Sequence, residues 1–236
     1  MKAIAIVPGT PGARLIDIAE PSVSRPREVR LKVLRVGICG TDREQAQGGR
    51  ALAPDGSAHL VVGHEMLGEV VETGNAVEHF RPGDRAVVTV RRPCSKCVPC
   101  SLLRPDMCRT GEYRERGIWG LPGFQTEFIV EDEQWLVPVP PHLGDLGVLA
   151  EPASVAAKAI EAAVEVQRAR LPAGQANPNW LGGRRCLVAG LGPVGLLATL
   201  MLRLRGAEVY GYDIVNAGSP RPQWLAGVGG RYLDGR

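Results

Sequence analysis

The 236-residue chain is poor in lysine, aromatic residues and cysteine, and no long apolar run interrupts it. Its lysines are Lys2, Lys32, Lys96 and Lys158, its arginines are scattered among acids, and its net charge is only +3. Aromatics make up 5% of the chain and form no stripe beside basic residues on which bases could stack. These shortages exclude nucleic acid and an anionic membrane surface as partners. The apolar segment LLATLMLRLRG is broken by Arg203 and Arg205 and fits a helix packed on a sheet, not a bilayer span. The opening MKAIAIVPGT is cut off at Pro8 and Gly9, too short for the core of a signal peptide, so a cytoplasmic location is expected. There is no internal repeat and no low-complexity tract. With 44% hydrophobic and 22% charged residues, the composition is that of a globular protein with room for one large or two modest domains.

Of the 6 cysteines, Cys94, Cys97, Cys100 and Cys108 crowd into PCSKCVPCSLLRPDMC, a polar stretch interrupted by proline and without apolar periodicity. In a reducing compartment, clustered cysteines at C-x2-C-x2-C-x7-C spacing suit a tetrahedral zinc held by four thiolates, with a redox switch as the alternative. Four sulfurs leave no open coordination position. Such a zinc shapes a loop and does no chemistry.

Up to about Glu151 the chain reads as short β-rich runs, KAIAIV, EVRLKVLRVGI, MLGEVVETG, DRAVVTV, FQTEFIV and QWLVPVP, separated by Gly and Pro turns. This pattern predicts a loop-rich β-barrel domain. The following EPASVAAKAIEAAVEVQRARLP predicts an amphipathic helix with Val155, Ala159, Ala162 and Val166 on its apolar face, stopped by Pro172. A surface connection, AGQANPNWLGG, leads to strand, glycine turn, helix and strand: RCLVAG, GLGPVG, LLATLMLRLRG and EVYGYD. The division expected is 1–152 and 153–236.

GLGPVG, comprising Gly190, Leu191, Gly192, Pro193, Val194 and Gly195, joins an apolar strand to a helix, the context that gives G-x-G-x-x-G its meaning. The first glycine permits a tight turn, the second lets backbone approach a pyrophosphate, and the third brings helix against strand. Asp213 ends the next strand, where a carboxylate can bind both hydroxyls of an adenosine ribose and repel a 2′-phosphate. Its neighbours Ile214 and Val215 are not basic, so NAD is expected in preference to NADP, moderated by Arg221 on the same loop.

GICGTD, VVGHE and AEP contribute Cys39, His64, Glu65 and Glu151, each beside a strand end or turn. Individually, each has a plain explanation as a core cysteine, a satisfied histidine or a helix-starting acid. Together with the four-cysteine loop and GLGPVG, in this order and spacing, they resemble the zinc-dependent medium-chain alcohol dehydrogenase superfamily. CGTDRE, GEYRERGIWG and LAEPASVAAKAIEAAVEVQ are most similar to its glucose 1-dehydrogenase branch.

The resemblance implies a mixed α and β fold, with an N-terminal GroES-like β-barrel catalytic domain followed by a truncated, doubly wound Rossmann dinucleotide-binding domain. It implies two zinc ions per chain. Cys39, His64 and Glu151, with Glu65 as a close or exchanging ligand, surround a catalytic one; Cys94, Cys97, Cys100 and Cys108 hold a structural one. Hydride would pass from a sugar hydroxyl, at C1 of glucose, to NAD or NADP, with the Thr41 hydroxyl relaying the proton and Asp42 orienting a ligand. Glu115, along with Glu151, would contact sugar hydroxyls. Val90 stands where the branch often has a sugar-contacting asparagine, a departure that bears on glucose itself but not on the polyol or sugar class; the alternative is the same chemistry on another polyol, an alcohol or an amino-acid hydroxyl. The resemblance also implies a dimer or tetramer. A non-catalytic zinc module would instead require the basic, aromatic stripe that is lacking. The chain ends at GGRYLDGR, roughly where a third strand of the dinucleotide fold should begin, so it is expected to bind zinc but turn over substrate poorly.

Overall fold

A computed structural model describes residues 1–170 and 179–236 and separates two compact units, Met1–Glu151 and Pro152–Arg236. The first is built on a five-stranded antiparallel sheet in the order Phe128–Asp132, Glu28–Gly37, Glu65–Thr73, Arg85–Val88, Leu136–Pro138. Alternation directs Val29 and Leu31 inward and Lys32 to the solvent, and Met66, Val70, Ala86, Val88, Phe124, Ile129 and Leu136 close the core. Pro138 is tolerated because its strand lies at the sheet edge.

Two smaller sheets flank this core. Lys2–Ile6 pairs with Ala13–Asp17 and Leu60–Val61, and Arg91–Arg92, Arg114–Arg116 and Gly120–Leu121 form the other. The expected run FQTEFIV begins as a turn, not a strand: the N–H groups of Phe124 and Gln125 donate to Gly63 and Val62 at 2.9 Å each, and pairing starts only at Phe128. QWLVPVP likewise opens with a 3-10 turn, Glu133–Trp135.

The second unit contains three parallel strands, Arg185–Ala189, Glu208–Asp213 and Arg231–Asp234, in that spatial order. The helices Pro193–Leu204 and Pro220–Gly227 connect them. The third strand is therefore present within the chain, contrary to expectation. Its short RYLD run, bounded by Gly230 and Gly235, carries too little apolar signal to announce itself. The long helix Ala150–Ala169 also departs from expectation. Pro152, Ala156 and Ile160 are buried, and Ile160 and Val164 pack on Leu181, Leu202, Ala207 and Val209, whereas Val155, Ala159, Ala162 and Val166 face outward. The alanine-rich helix has two apolar stripes at i, i+4 spacing, and the one with the bulkier side chains fills the core. The stop expected at Pro172 and the connection over 173–178 lie outside the described residues. One face of the parallel strands is open among the described residues: Leu187 is 64% exposed, with Tyr212 and Leu233 on the same face. Among the described residues, no helix is long and apolar enough to cross a membrane.

Two glycines of the first unit bring distant segments into close approach. Gly37 faces Glu65 across the central sheet, and a Cβ at Gly37 would run into the Glu65 side chain. Gly117 (φ +69) lies against the backbone of Gly63, leaving no room for a Cβ. Gly117→Ala is expected to combine left-handed strain with this collision, lowering stability by at least about 2 kcal/mol and shifting the urea midpoint downward.

Candidate active site and cofactor-binding elements

Cys39 leaves the end of the Glu28–Gly37 strand and caps the helix Gly40–Ala46. Its Sγ accepts the Thr41 N–H at 3.3 Å, and its own N–H donates to Asp42 Oδ2 at 2.8 Å. This reciprocal box fixes Cys39, Thr41 and Asp42 relative to one another. His64 and Glu65 arrive from the opposite direction, at the start of the Glu65–Thr73 strand. Ligand atoms of Cys39, His64 and Glu65 all lie within 4.8 Å of one another, and His64 Nε2 is 3.2 Å from Cys39 Sγ.

Asp42 acts on the other side of the imidazole. Its Oδ1 is 3.9 Å from His64 Nδ1, and neither buried atom has a hydrogen-bond partner among the described residues. The carboxylate therefore sits where it favours a proton on Nδ1 and leaves Nε2 toward the sulfur, the arrangement typical of a metal-binding histidine. Glu151, at the start of the long helix, stands outside the trio. Burial, reinforced by the charges of Glu65 and Asp42, pushes its carboxyl up to about 7. Burial also raises the Glu65 carboxyl, with His64 opposing and Asp42 adding, and raises the Cys39 thiol. Sulfur, imidazole and several crowded acids form a donor set that fits a zinc ion.

The four-cysteine loop winds through Ser95 (φ 59) and Leu103 (φ 56), both left-handed, and a short helix, Val98–Ser101, begins after Cys97. All four sulfurs lie within 4.8 Å of one another; Cys94 to Cys97 is 3.6 Å and Cys97 to Cys108 is 4.0 Å. These separations are too long for a disulfide and match the edges, roughly 3.8 Å, of a tetrahedron with metal–sulfur bonds of about 2.3 Å. Hydrogen bonds from the Thr110 side chain and then the Lys96 N–H bring the Cys94 thiol down to about 6, while burial takes Cys100 up to about 12. The loop thus fits a closed zinc.

In the second unit, Gly190 (φ +89) turns the chain from strand to helix, and Gly195 packs so closely on the Gly190 carbonyl that a Cβ would collide with it. Leu191 is fully buried, and Gly192 caps Pro193–Leu204 without a side-chain bond, so the N–H groups of the first turn, at Val194 and Gly195, face outward from the helix. This is the cradle that a pyrophosphate requires. Asp213 accepts the Leu191 N–H at 2.8 Å and the Ile214 N–H at 2.7 Å, with Arg221 3.7 Å away. The Leu191 N–H, then the Ile214 N–H and Arg221, hold its carboxyl below the usual range.

Glu115 is 6% exposed on the strand Arg114–Arg116. Its Oε2 accepts from Arg50 Nη1 and Nη2, both at 3.1 Å, and its Oε1 from Arg91 Nε at 3.1 Å and Nη2 at 2.6 Å. Sequence reasoning missed Arg50, Arg91 and Gln45, whose Nε2 donates to Gly117 O at 3.1 Å. No spacing rule links Arg50 to a glutamate 65 residues away.

Two family models account for most of the chain: the alcohol dehydrogenase GroES-like domain over residues 25–141 and the glucose dehydrogenase C-terminus over 144–236. The chain belongs to the zinc-dependent medium-chain alcohol dehydrogenase superfamily, with a GroES-like unit followed by part of a doubly wound dinucleotide-binding fold. Within that superfamily it is 41% identical over 235 residues to glucose 1-dehydrogenase 2 of Vulcanisaeta moutnovskia, covering 99% of this chain and 64% of that protein. It is 45% identical over 213 residues to glucose 1-dehydrogenase of Methanocella arvoryzae, covering 89% of this chain and 56% of the relative. Haloferax mediterranei glucose dehydrogenase, solved in complex with NADP, Zn and gluconolactone, superposes with a TM-score of 0.85 at 33% identity, over 99% of this chain and 64% of that one. The chain thus spans less than two thirds of the length of these relatives.

The two donor sets should separate on mutation. Cys97→Ser is expected to lose one zinc and Cys39→Ala the other, each leaving about one equivalent by metal analysis where the parent protein holds about two.

Proposed function

We propose that this chain provides the zinc site and dinucleotide cradle of an NAD(P)-dependent dehydrogenase that oxidises a sugar hydroxyl, with C1 of glucose the first candidate. The observation that carries this reading is the Cys39, His64 and Glu65 cluster, backed by Asp42 and placed beside Glu151. Similarity to glucose 1-dehydrogenases, and to a structure solved with NADP, Zn and gluconolactone, supports it.

When bound, zinc supplies a Lewis acid for the substrate oxygen and the nicotinamide supplies a hydride acceptor. Cys39, His64 and Glu65 hold the ion, and Glu151 joins them or turns to the substrate. Asp42 fixes the imidazole tautomer. Thr41, anchored through its N–H to Cys39 Sγ, offers a hydroxyl to take the substrate proton toward solvent. Cys94, Cys97, Cys100 and Cys108 hold their loop around a second zinc. Gly190 to Gly195 receive the pyrophosphate at the helix N-terminus, and Asp213 takes the adenosine ribose. Assembly into a dimer or tetramer belongs to this proposal.

A panel of sugars and polyols offered to the zinc-loaded protein with NAD or NADP tests the reading: sugar binding in the presence of the cofactor is expected, with turnover low, and the absence of both binding and turnover with every sugar and polyol would reject it. Thr41→Ala should lower turnover by about 100-fold or more while leaving zinc content unchanged. NAD is expected to bind more tightly than NADP because Asp213 repels a 2′-phosphate. Arg221, 3.7 Å from that carboxylate, tempers the preference. Arg221→Ala should therefore widen the gap between the two dissociation constants, measured by fluorescence titration.

A further inference from the structure

Asp213 is the proposed partner of the adenosine ribose, and each of its carboxylate oxygens already accepts one hydrogen bond. Oδ2 takes the Leu191 N–H and Oδ1 the Ile214 N–H, so of about four lone-pair positions there is room on each oxygen for one more bond. That matches a vicinal pair of hydroxyls. Arg221 Nη1, 3.7 Å from Oδ2, is beyond hydrogen-bond distance and contributes charge alone. Gripping a diol with both oxygens is bidentate and depends on where the carboxylate points. Its direction is set by the turn that follows the strand Glu208–Asp213.

Tyr232 holds that turn. It belongs to the neighbouring strand Arg231–Asp234, in register with Gly211, and so stands on the face where Leu191 and Leu225 crowd the bare α-carbon of that glycine. From there its hydroxyl reaches past the last paired residues, Asp213 and Asp234, to the carbonyls of Asp213 at 2.8 Å and Val215 at 2.5 Å. These two carbonyls bracket Ile214, whose N–H feeds Oδ1. The Asp213 carbonyl has a second donor in the Gly235 N–H at 2.9 Å, whereas among the described residues the Val215 carbonyl has the phenol alone. Burial, then the charges of Asp234 and Asp213, raise the phenol above its usual range against the pull of Arg236, so it is a donor at neutral pH.

We propose that Tyr232 is a positioning residue for the dinucleotide site: its hydroxyl fixes the turn of Asp213, Ile214 and Val215 so that the carboxylate meets a ribose diol with both oxygens. This rests on the cofactor reading above. The phenol acts through the backbone and touches no ligand. Without its hydroxyl the Val215 peptide loses its donor and Ile214 its fixed place, and the carboxylate keeps its charge but loses its aim.

The test is titration of the zinc-supplemented chain with ADP and with 2′-deoxy-ADP, followed by ligand-observed NMR. The two differ by one ribose hydroxyl, so the ratio of their dissociation constants reports the diol contact. The parent chain is expected to bind ADP about tenfold more tightly. In Tyr232→Phe, which keeps the ring and its packing, the ratio should fall to about threefold or less while 2′-deoxy-ADP binds as before. Amide exchange at Ile214 should quicken in the same variant. Tyr210→Phe is the control, because that hydroxyl meets Arg231 at 3.3 Å on the opposite face, beside Leu187, and its ratio should match the parent. A ratio unchanged in Tyr232→Phe, or equal weakening of both nucleotides, would overturn the proposal and leave the cofactor reading standing. Failure of the parent chain to prefer ADP would overturn the assignment of Asp213 to the ribose, and the proposal with it.

Discussion

Gly117 and Gly63 lie backbone against backbone, and much of the candidate site depends on that approach. Gly63 directly precedes His64, so whatever presses on its backbone also sets where the imidazole emerges. Gly117 belongs to the turn after Glu115, and its carbonyl is gripped by Gln45 from the helix that Cys39 caps. One contact without side chains therefore joins three segments far apart in sequence. Only glycine permits it, because the φ of +69 and the lack of space both rule out a Cβ.

Around this junction the polar groups fall into a hierarchy. Asp42 satisfies the Cys39 N–H with one oxygen and approaches His64 Nδ1 with the other, so one acid organises two proposed ligands. Glu131 has a comparable role farther out: its Oε2 accepts from Arg92 at 2.6 Å and from Arg116 at 2.9 and 2.6 Å. Those arginines flank the Arg91 and Glu115 pair in sequence. Buried charges of this kind are costly unless matched, and here the matching fixes the small sheet that presents Arg91.

The proposed metal donors and the glycine-rich turn were legible in the sequence because their chemistry is compressed into short motifs at strand ends. GHE, GICGTD and GLGPVG need only a few neighbours to function. The β-rich first unit and the parallel second unit also followed from local patterns, although the apolar content of FQTEFIV concealed a turn that bonds to Gly63 and Val62. Side-chain pairings over long separations were not legible. Nothing in GGR or in YRERG reveals that Arg50 closes on Glu115. The long helix shows the same limit differently: two apolar stripes satisfied the period equally, and only packing against Leu202 and Val209 decided in favour of Ile160.

Gly37 and Glu65 also form a pair across the central sheet. The glutamate leans over the bare α-carbon of its partner, and a methyl group there would meet its Cβ at 3.0 Å and its carboxyl carbon at 3.1 Å. The two positions cannot drift independently through mutation. A lineage that gained a side chain at position 37 would have to move or discard the acid opposite, altering the proposed ligand shell in the same step. Sheet register and the proposed ligand shell are coupled at this pair, so a side chain at position 37 in a descendant sequence would mark a displaced acid at position 65 even where every proposed donor residue was kept.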